Sequence, residues 1–235
     1  MTSATDVPDF LRQNSLQQTI PANTWLFQQD DPIRDIYLLE KGIVKLTRVE
    51  ANGAESIGEL RIGGAILGAV SALANAPAPL SAFTLTECKV APMTVTDFLH
   101  FEQSNRAFSH ALLVFVSQQK GELSIRYARQ TLFSARAQLA YLLLLLQREF
   151  GEARNGERRL AAPLTKQDMA GWVGITPQPL SALLREMKRD GLLAEENGWI
   201  IFCDLERLTY EAETGAKSSP SPALRKGESE LRFEI

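Results

Sequence analysis

Over the first hundred residues, short β-branched or aromatic runs, Asp35 to Leu39 and Ile43 to Val49 among them, alternate with turn-forming clusters. These clusters fall at Gln29-Asp30-Asp31-Pro32, Glu40-Lys41-Gly42, Ala51-Asn52-Gly53 and Ile62-Gly63-Gly64. Turns recurring roughly every ten residues predict an antiparallel sandwich or barrel. From about Thr94 the period changes. Up to Phe150 glycine occurs only at Gly121 and proline is absent, while Phe108, Leu112, Phe115, Gln119 and Leu123 recur at spacings of three and four. That stripe predicts a long amphipathic helix over residues 103–130. An amphipathic helix leaving a closed β-domain seeks a partner for its apolar face, so the stripe predicts dimerisation. A second helical run from Thr131 to Phe150 sets Leu139, Leu142, Leu143 and Leu146 on one face for core packing, and the polar segment Gly151 to Arg159 is expected to be a loop.

The stretch LTKQDMAGWVGITPQPLSALLREMKRDGLL, Leu164 to Leu193, predicts two short helices around a tight turn. Thr165 is a candidate N-cap, and Met169, Ala170 and Val173 form the buried face of the first helix. Gly174 supplies the turn because glycine adopts positive φ without a Cβ clash, and the small Ala170 four residues earlier lets two helices cross closely. Thr176 and Pro177 open the second helix, where a proline in the first turn sacrifices no helical hydrogen bond. Leu180, Leu183, Leu184 and Met187 point inward; Gln178, Ser181, Ala182, Arg185 and Lys188 point outward. Beyond it, Asn197-Gly198 between two β-like runs is a hairpin signal. A helix-turn-helix followed by such a wing predicts entry into the major groove of duplex DNA. Thr165, Lys166, Gln167 and Thr176 then hold phosphates, and Gln178, Ser181, Arg185 and Lys188 face the groove. The resulting fold class is α+β: an N-terminal antiparallel β sandwich or barrel over 1–102, a dimerisation helix over 103–130, a winged helix-turn-helix over 131–210, and a disordered tail over 211–235, where Glu, Lys, Ser and Pro dominate.

Composition narrows the partners. The 235 residues are 45% apolar and carry a net charge of −3, which excludes a globally basic nucleic-acid coat. From Arg158 to Arg207 seven basic residues face seven acidic ones, so non-specific DNA affinity is modest and doubling the contacts through a dimer helps. Cys88 and Cys203 form no CxxC pair, and no histidine precedes His100, so neither a metal site nor a cofactor is expected. No GxSxG, P-loop or HExxH occurs, which argues against an enzyme. There is no signal-peptide pattern and no apolar run long enough to span a bilayer, so a cytoplasmic location without membrane contact is expected.

The runs IYLLEKGIVKLTRV (Ile36 to Val49), GGAILGAVSAL (Gly63 to Leu73) and Leu164 to Leu193 together resemble the Crp/Fnr family of transcription regulators. The resemblance implies a cyclic-nucleotide-binding-like jelly roll, dimerisation through the long helix, promoter control by the C-terminal domain, and RNA polymerase as a further partner. It also implies an effector pocket around Gly68, Ala69, Val70, Ser71 and Ser81. Two departures stand out. Nucleotide-binding members carry a glutamate for the ribose and an arginine for the cyclic phosphate. Here Ala69 stands at the glutamate's place, and no Lys or Arg occurs between Arg61 and Lys89. An anion buried without a cation is costly, so cyclic AMP is not the expected effector. The pocket either takes another ligand, whose identity is open, or is filled by Ile66, Leu67, Val70 and Leu73. Haem sensing lacks recognisable ligands, His100 and His110 being expected on exposed or interfacial helix faces, and the N-terminal cysteines of the oxygen-sensing branch are absent. In the recognition helix, Gln178-Pro179-Leu180-Ser181-Ala182 replaces the family's Glu-Thr-Val-Ser-Arg, removing contacts worth about 1–3 kcal/mol each in base discrimination. A protein-interaction module with a degenerate DNA-binding domain is the competing possibility.

Overall fold

A computed structural model describes residues 7–51, 55–154, 157–161 and 164–215. A short helix α1 (Val7–Asn14) leads into eight strands: β1 (Gln18–Ile20), β2 (Trp25–Phe27), β3 (Asp35–Lys41), β4 (Val44–Val49), β5 (Glu55–Arg61), β6 (Ile66–Leu67), β7 (Ser81–Thr84) and β8 (Cys88–Thr94), with a one-turn helix α2 (Ala69–Leu73) between β6 and β7. They form two four-stranded antiparallel sheets, ordered β1-β8-β3-β6 and β2-β7-β4-β5. Period-two alternation buries Leu39, Val44, Leu67, Ala82, Cys88 and Val90 between the sheets. The turn expected at Ala51-Asn52-Gly53 falls mainly on residues outside the described ones.

Helix α3 (Val95–Ser104) starts at Thr94, whose hydroxyl accepts from Asp97 N. Asn105 ends it and caps α4 (Arg106–Leu132) by accepting from Phe108 N at 3.1 Å. A second core lies on the outside of β3 and β8: Phe10 of α1, Ile36, Leu38, Met93, Phe98 of α3, and Phe108 and Leu112 of α4. Phe10 and Phe101 stack at 3.8 Å, and Phe10 and Phe108 lie 4.6 Å apart.

The C-terminal unit contains α5 (Ala135–Phe150), β9 (Glu152–Arg154), β10 (Glu157–Ala161), α6 (Lys166–Val173), α7 (Pro177–Arg189), β11 (Leu193–Glu196), β12 (Trp199–Phe202) and α8 (Leu205–Thr214). Its sheet runs β11-β12-β10-β9. The expected loop Gly151–Arg159 is therefore a correction: it contributes β9 and the start of β10. The cause is tertiary, since Arg158 to Ala161 pair with Trp199 to Phe202 and bury Leu160 in the core beneath. The expected tail also begins inside α8, which runs to Thr214; residues from 216 onward lie outside the described ones.

Gly42 marks the end of β3 with φ +108°, and a Cβ there would sit 2.6 Å from Cys88 Sγ and 2.7 Å from Glu87 O. Gly64, at φ +91°, has nothing within 4 Å of that position. Gly64→Ala should therefore cost about 1–2 kcal/mol from backbone strain alone. Gly42→Ala should cost at least about 1 kcal/mol more, because the neighbouring strand must shift; equal urea midpoints for the two variants would contradict the packing.

Candidate nucleic-acid interface

Three local features build the helix-turn-helix. Thr165 accepts from Asp168 N at 3.1 Å while Asp168 Oδ2 accepts from Thr165 N at 3.2 Å, a reciprocal capping box that starts α6. Gly174, at φ +79°, ends α6, and the amides of Gly174 and Ile175 both donate to Ala170 O, at 2.9 and 3.0 Å. Thr176 and Pro177 open α7, although Thr176 makes no side-chain cap. Leu180, Leu184 and Met187 are buried and Leu183 is partly buried, so α7 presents its opposite face to solvent. At the wing, Asn197 and Gly198 have φ of +50° and +81° in a two-residue loop between Glu196 and Trp199, as a type I′ turn requires.

The DNA-facing candidates differ in availability. Lys166, Gln167, Thr176, Gln178 and Arg185 are exposed, and no hydrogen bond or ion pair within the described residues occupies Gln178 or Arg185. Thr165 is exposed, but its hydroxyl donates to Asp168 Oδ2 at 2.5 Å. Ser181, half-buried, donates to Pro177 O at 2.9 Å within the helix. Lys188 reaches across to Glu195 of the wing; the hydrogen bond and the charge of Lys188 hold the Glu195 carboxyl below its ordinary range. Beside the wing, on the outer face of the sheet, Arg159 lies 4.2 Å over the Trp199 ring near exposed Arg154. Sequence reasoning did not assign those arginines. The readable signal was Asn155-Gly156 followed by Arg158-Arg159-Leu160.

The first helix of the motif also touches the β-domain. Lys45 of β4 lies 3.6 Å from Asp168 Oδ1, and Arg126 of α4 sits 5.4 Å over the Trp172 ring, near Glu59 and Arg61. Burial lowers the Arg126 pKa from its ordinary value, with Glu59 opposing. Ile43, Leu60, Ile62 and Leu85 complete this junction by joining the apolar core of the C-terminal unit.

At the expected effector pocket, Gly68 has φ +86° and precedes α2; Ala69, Ser71 and Ser81 are buried, and Ser81 Oγ accepts from Gln29 N at 2.8 Å. Ile66 and Leu67 are buried as a filled pocket would require, whereas Val70 and Leu73 are 59% and 40% exposed and turn outward. On α4, Phe108 and Leu112 are buried in the β-domain's own core, with Phe115 packed against it. Gln119 and Leu123 are half-buried.

The cyclic nucleotide-binding domain family matches residues 17–105, and the Crp-like helix-turn-helix domain family matches residues 137–210. The chain is 23% identical over 192 residues to the CRP-like cAMP-activated global transcriptional regulator of Mycobacterium tuberculosis, covering 82% of this chain and 86% of that protein. A CRP-family transcriptional regulator of Thermus thermophilus superposes with a TM-score of 0.72 at 18% identity, over 86% of this chain and all of that one. A second, CRP/FNR-family regulator from the same organism superposes with a TM-score of 0.70 at 21% identity, over 85% and 100%.

Asp168 both caps α6 and faces Lys45. Asp168→Ala should lower stability by about 1–2 kcal/mol through the lost cap. Lys45→Met should cost less than about 1 kcal/mol, because methionine keeps an apolar stem near the Phe83 ring and the ion pair with Asp168 at this distance contributes little. Denaturant unfolding in which the two variants cost the same would sink this apportioning. With a jelly roll of the cyclic-nucleotide-binding type, a long connecting helix and a winged helix-turn-helix matched in that order, the chain belongs to the Crp/Fnr family of transcription regulators.

Proposed function

We propose that the chain acts as a cytoplasmic, non-enzymatic homodimer that binds duplex promoter DNA through α7 and the wing and thereby governs access of RNA polymerase. The observation that carries this is the solvent face of α7: Gln178 and Arg185 extend from a helix locked by the Gly174 turn, with no internal partner among the described residues. Gln178 can pair bidentately with adenine and Arg185 with guanine or phosphate. Lys166, Gln167 and the free amides at the start of α6 suit phosphates. Two copies related by a twofold read half-sites about one helical turn apart. Among the described residues no helix is long and apolar enough to cross a membrane, in keeping with this role.

The dimer seam lies beside the expected stripe rather than along all of it. Val114, Gln118, Gly121, Ile125, Ala128 and Leu132 are exposed on α4 at alternating spacings of four and three, the a/d repeat of a coiled coil. Apart from α4's own backbone, no described residue would meet a Cβ at Gly121 within 4 Å, and the small residues at 121 and 128 suit close approach by a second α4. Ile125→Glu should convert the dimer to monomers at micromolar concentration in light scattering, with secondary structure retained; an unchanged dimer mass overturns the seam.

The effector is not a cyclic nucleotide. Support comes from the cation-free run 62–88, from Ala69, and from the engagement of Ser81 by Gln29. A buried cyclic phosphate would face no guanidinium from that run.

Genome-wide footprinting tests DNA binding directly, and the salt slope tests its origin. Arg185→Gln should reduce the magnitude of the slope of log affinity against log salt by about 1. Glu195→Gln should increase it by about 1, because Lys188 is released to phosphate. The sign follows from the Glu195 shift: its carboxylate form is favoured, so the lock on Lys188 persists at neutral pH and loosens only as pH falls through the acid range. A slope near zero for the parent chain supports the competing protein-interaction module, to which Pro177, Pro179 and Ala182 in α7 point.

A further inference from the structure

A groove of about 610 Å³ opens on the β-domain between α1, the start of β1, the β3–β8 pair and α3. It lies away from α2 and Ser81, and so is separate from the family's effector pocket. Its apolar and aromatic lining is Phe10, Met93 and Phe101 from the outer core, while Asp35 and Tyr37 enter from the opposite face of β3. Its charged groups are the carboxylates of Asp35 and Asp97, joined by the imidazole of His100; no Lys or Arg lines it.

Two polar groups in this groove are left without partners. Asp35 is half-buried, yet its carboxylate is in no hydrogen bond or ion pair within the described residues. Its field and the partial burial of the ring both push the Tyr37 hydroxyl above its ordinary pKa, burial contributing more. Ser15 Oγ is fully buried at the groove and has no hydrogen-bond partner among the described residues. A partly desolvated carboxylate without a counter-charge, and a buried hydroxyl without a partner, each carry a penalty that a bound group can remove. Asp97, by contrast, is engaged at the start of α3 by the Thr94 hydroxyl at 2.7 Å, so Asp35 is the acceptor left open.

We propose that this groove is a binding site for an amphipathic organic cation, an ammonium group carried on an aryl or alkyl body. The ammonium pairs with Asp35 and lies near the Tyr37 ring, and the apolar body covers Phe10, Phe101 and Met93. The volume falls within the range of small-molecule pockets. The charge is complementary, since two carboxylates and no Lys or Arg select a cation over an anion. Occupancy reaches the long helix directly, because Phe10 and Phe98 both pack on Phe108 near the start of α4, at 4.6 and 5.7 Å. The site stands independently of the DNA-binding proposal; only its use as an effector site rests on it.

The test is isothermal titration of the full chain with 2-phenylethylammonium, with 3-phenylpropanoate as its anionic counterpart and 2-phenylethanol as its neutral one. The cation should saturate with a dissociation constant on the order of millimolar, as expected for a ligand of this size. The anion and the alcohol should bind at least about tenfold more weakly. Asp35→Asn should weaken the cation by at least about tenfold, with an unchanged thermal midpoint. Tyr37→Phe, which keeps the ring, should hold the affinity within about threefold. Equal binding of the three probes, full affinity in Asp35→Asn, or no saturation by the cation at tens of millimolar each overturns the site. DNA binding is scored separately, so its failure leaves the titration to be judged on its own.

Discussion

Burial of α5 is the constraint on which the C-terminal half depends. Ala137, Gln138, Leu139, Ala140, Leu142, Leu143 and Leu146 are all buried, so the helix is wrapped on most of its circumference by α8, α6 and β10. A helix of this length owes its stability to packing more than to propensity. A fully buried leucine contributes about 1.5–3 kcal/mol, and three of these leucines are at 0% exposure or within 2% of it. Arg136 extends the anchoring at the first turn of α5. It pairs with Glu211 of α8 at 2.7 Å and with Asp190 at the end of α7 at 2.9 Å, so the far end of the recognition helix is tied to the same scaffold. The face bearing Gln178 and Arg185 is then held by backbone turns and apolar contacts and needs no polar side chain of its own for support.

That economy matters because the domain has few free charges. Lys188 is held by Glu195, Arg159 by Glu152 and Arg136 by three acids, which leaves Lys166 and Arg185 as exposed cations on the two helices of the motif with no ion pair within the described residues, Arg189 being only 3.9 Å from Asp190. Each phosphate neutralised contributes through released counterions, so one copy with so few free cations binds non-specific DNA weakly. The proposed seam along α4 and a fixed α7 would together compensate: the first doubles the contacts, and the second avoids an ordering cost on binding.

The parts of this architecture legible in the sequence are those set by residues close to one another in the chain. Gly174 four residues after Ala170, Thr165 three before Asp168, and Asn197-Gly198 each specify a backbone conformation within one turn, and each is found at its predicted place. What stayed hidden depends on distant partners. β9 and the start of β10 read as a polar loop because none of their residues is buried, and the strand that β10 pairs with begins at Trp199. The α4 stripe was visible as a period, but its division was not. Phe108 and Leu112 face inward because Phe10 and Phe98, from two other helices, pack against Phe108. Likewise no local pattern marks Lys45, more than a hundred residues from Asp168, as the neighbour of α6.

The junction that Lys45 belongs to limits how a signal in the β-domain can reach the DNA-facing helix. Ile43, Leu60, Ile62 and Leu85 share one apolar core with α6, and Arg126 carries α4 into the same place by lying over Trp172. A change that moves β4 or β5 alone must either drag α6 with it or expose that core, at about 25 cal/mol for each Å² of apolar surface. A change that enters at Phe108 acts instead on the start of α4, about five turns from Arg126, where the helix can move as a rod between its two attachments. Coupling needs an element with two discrete arrangements that both sites bias, and among the described residues α4 carries the proposed seam and reaches both the β-domain core and the α6 junction. In the proposed dimer, the long helix, rather than the sheet edge, is therefore the element that joins the core around Phe108 to the α6 junction at Arg126.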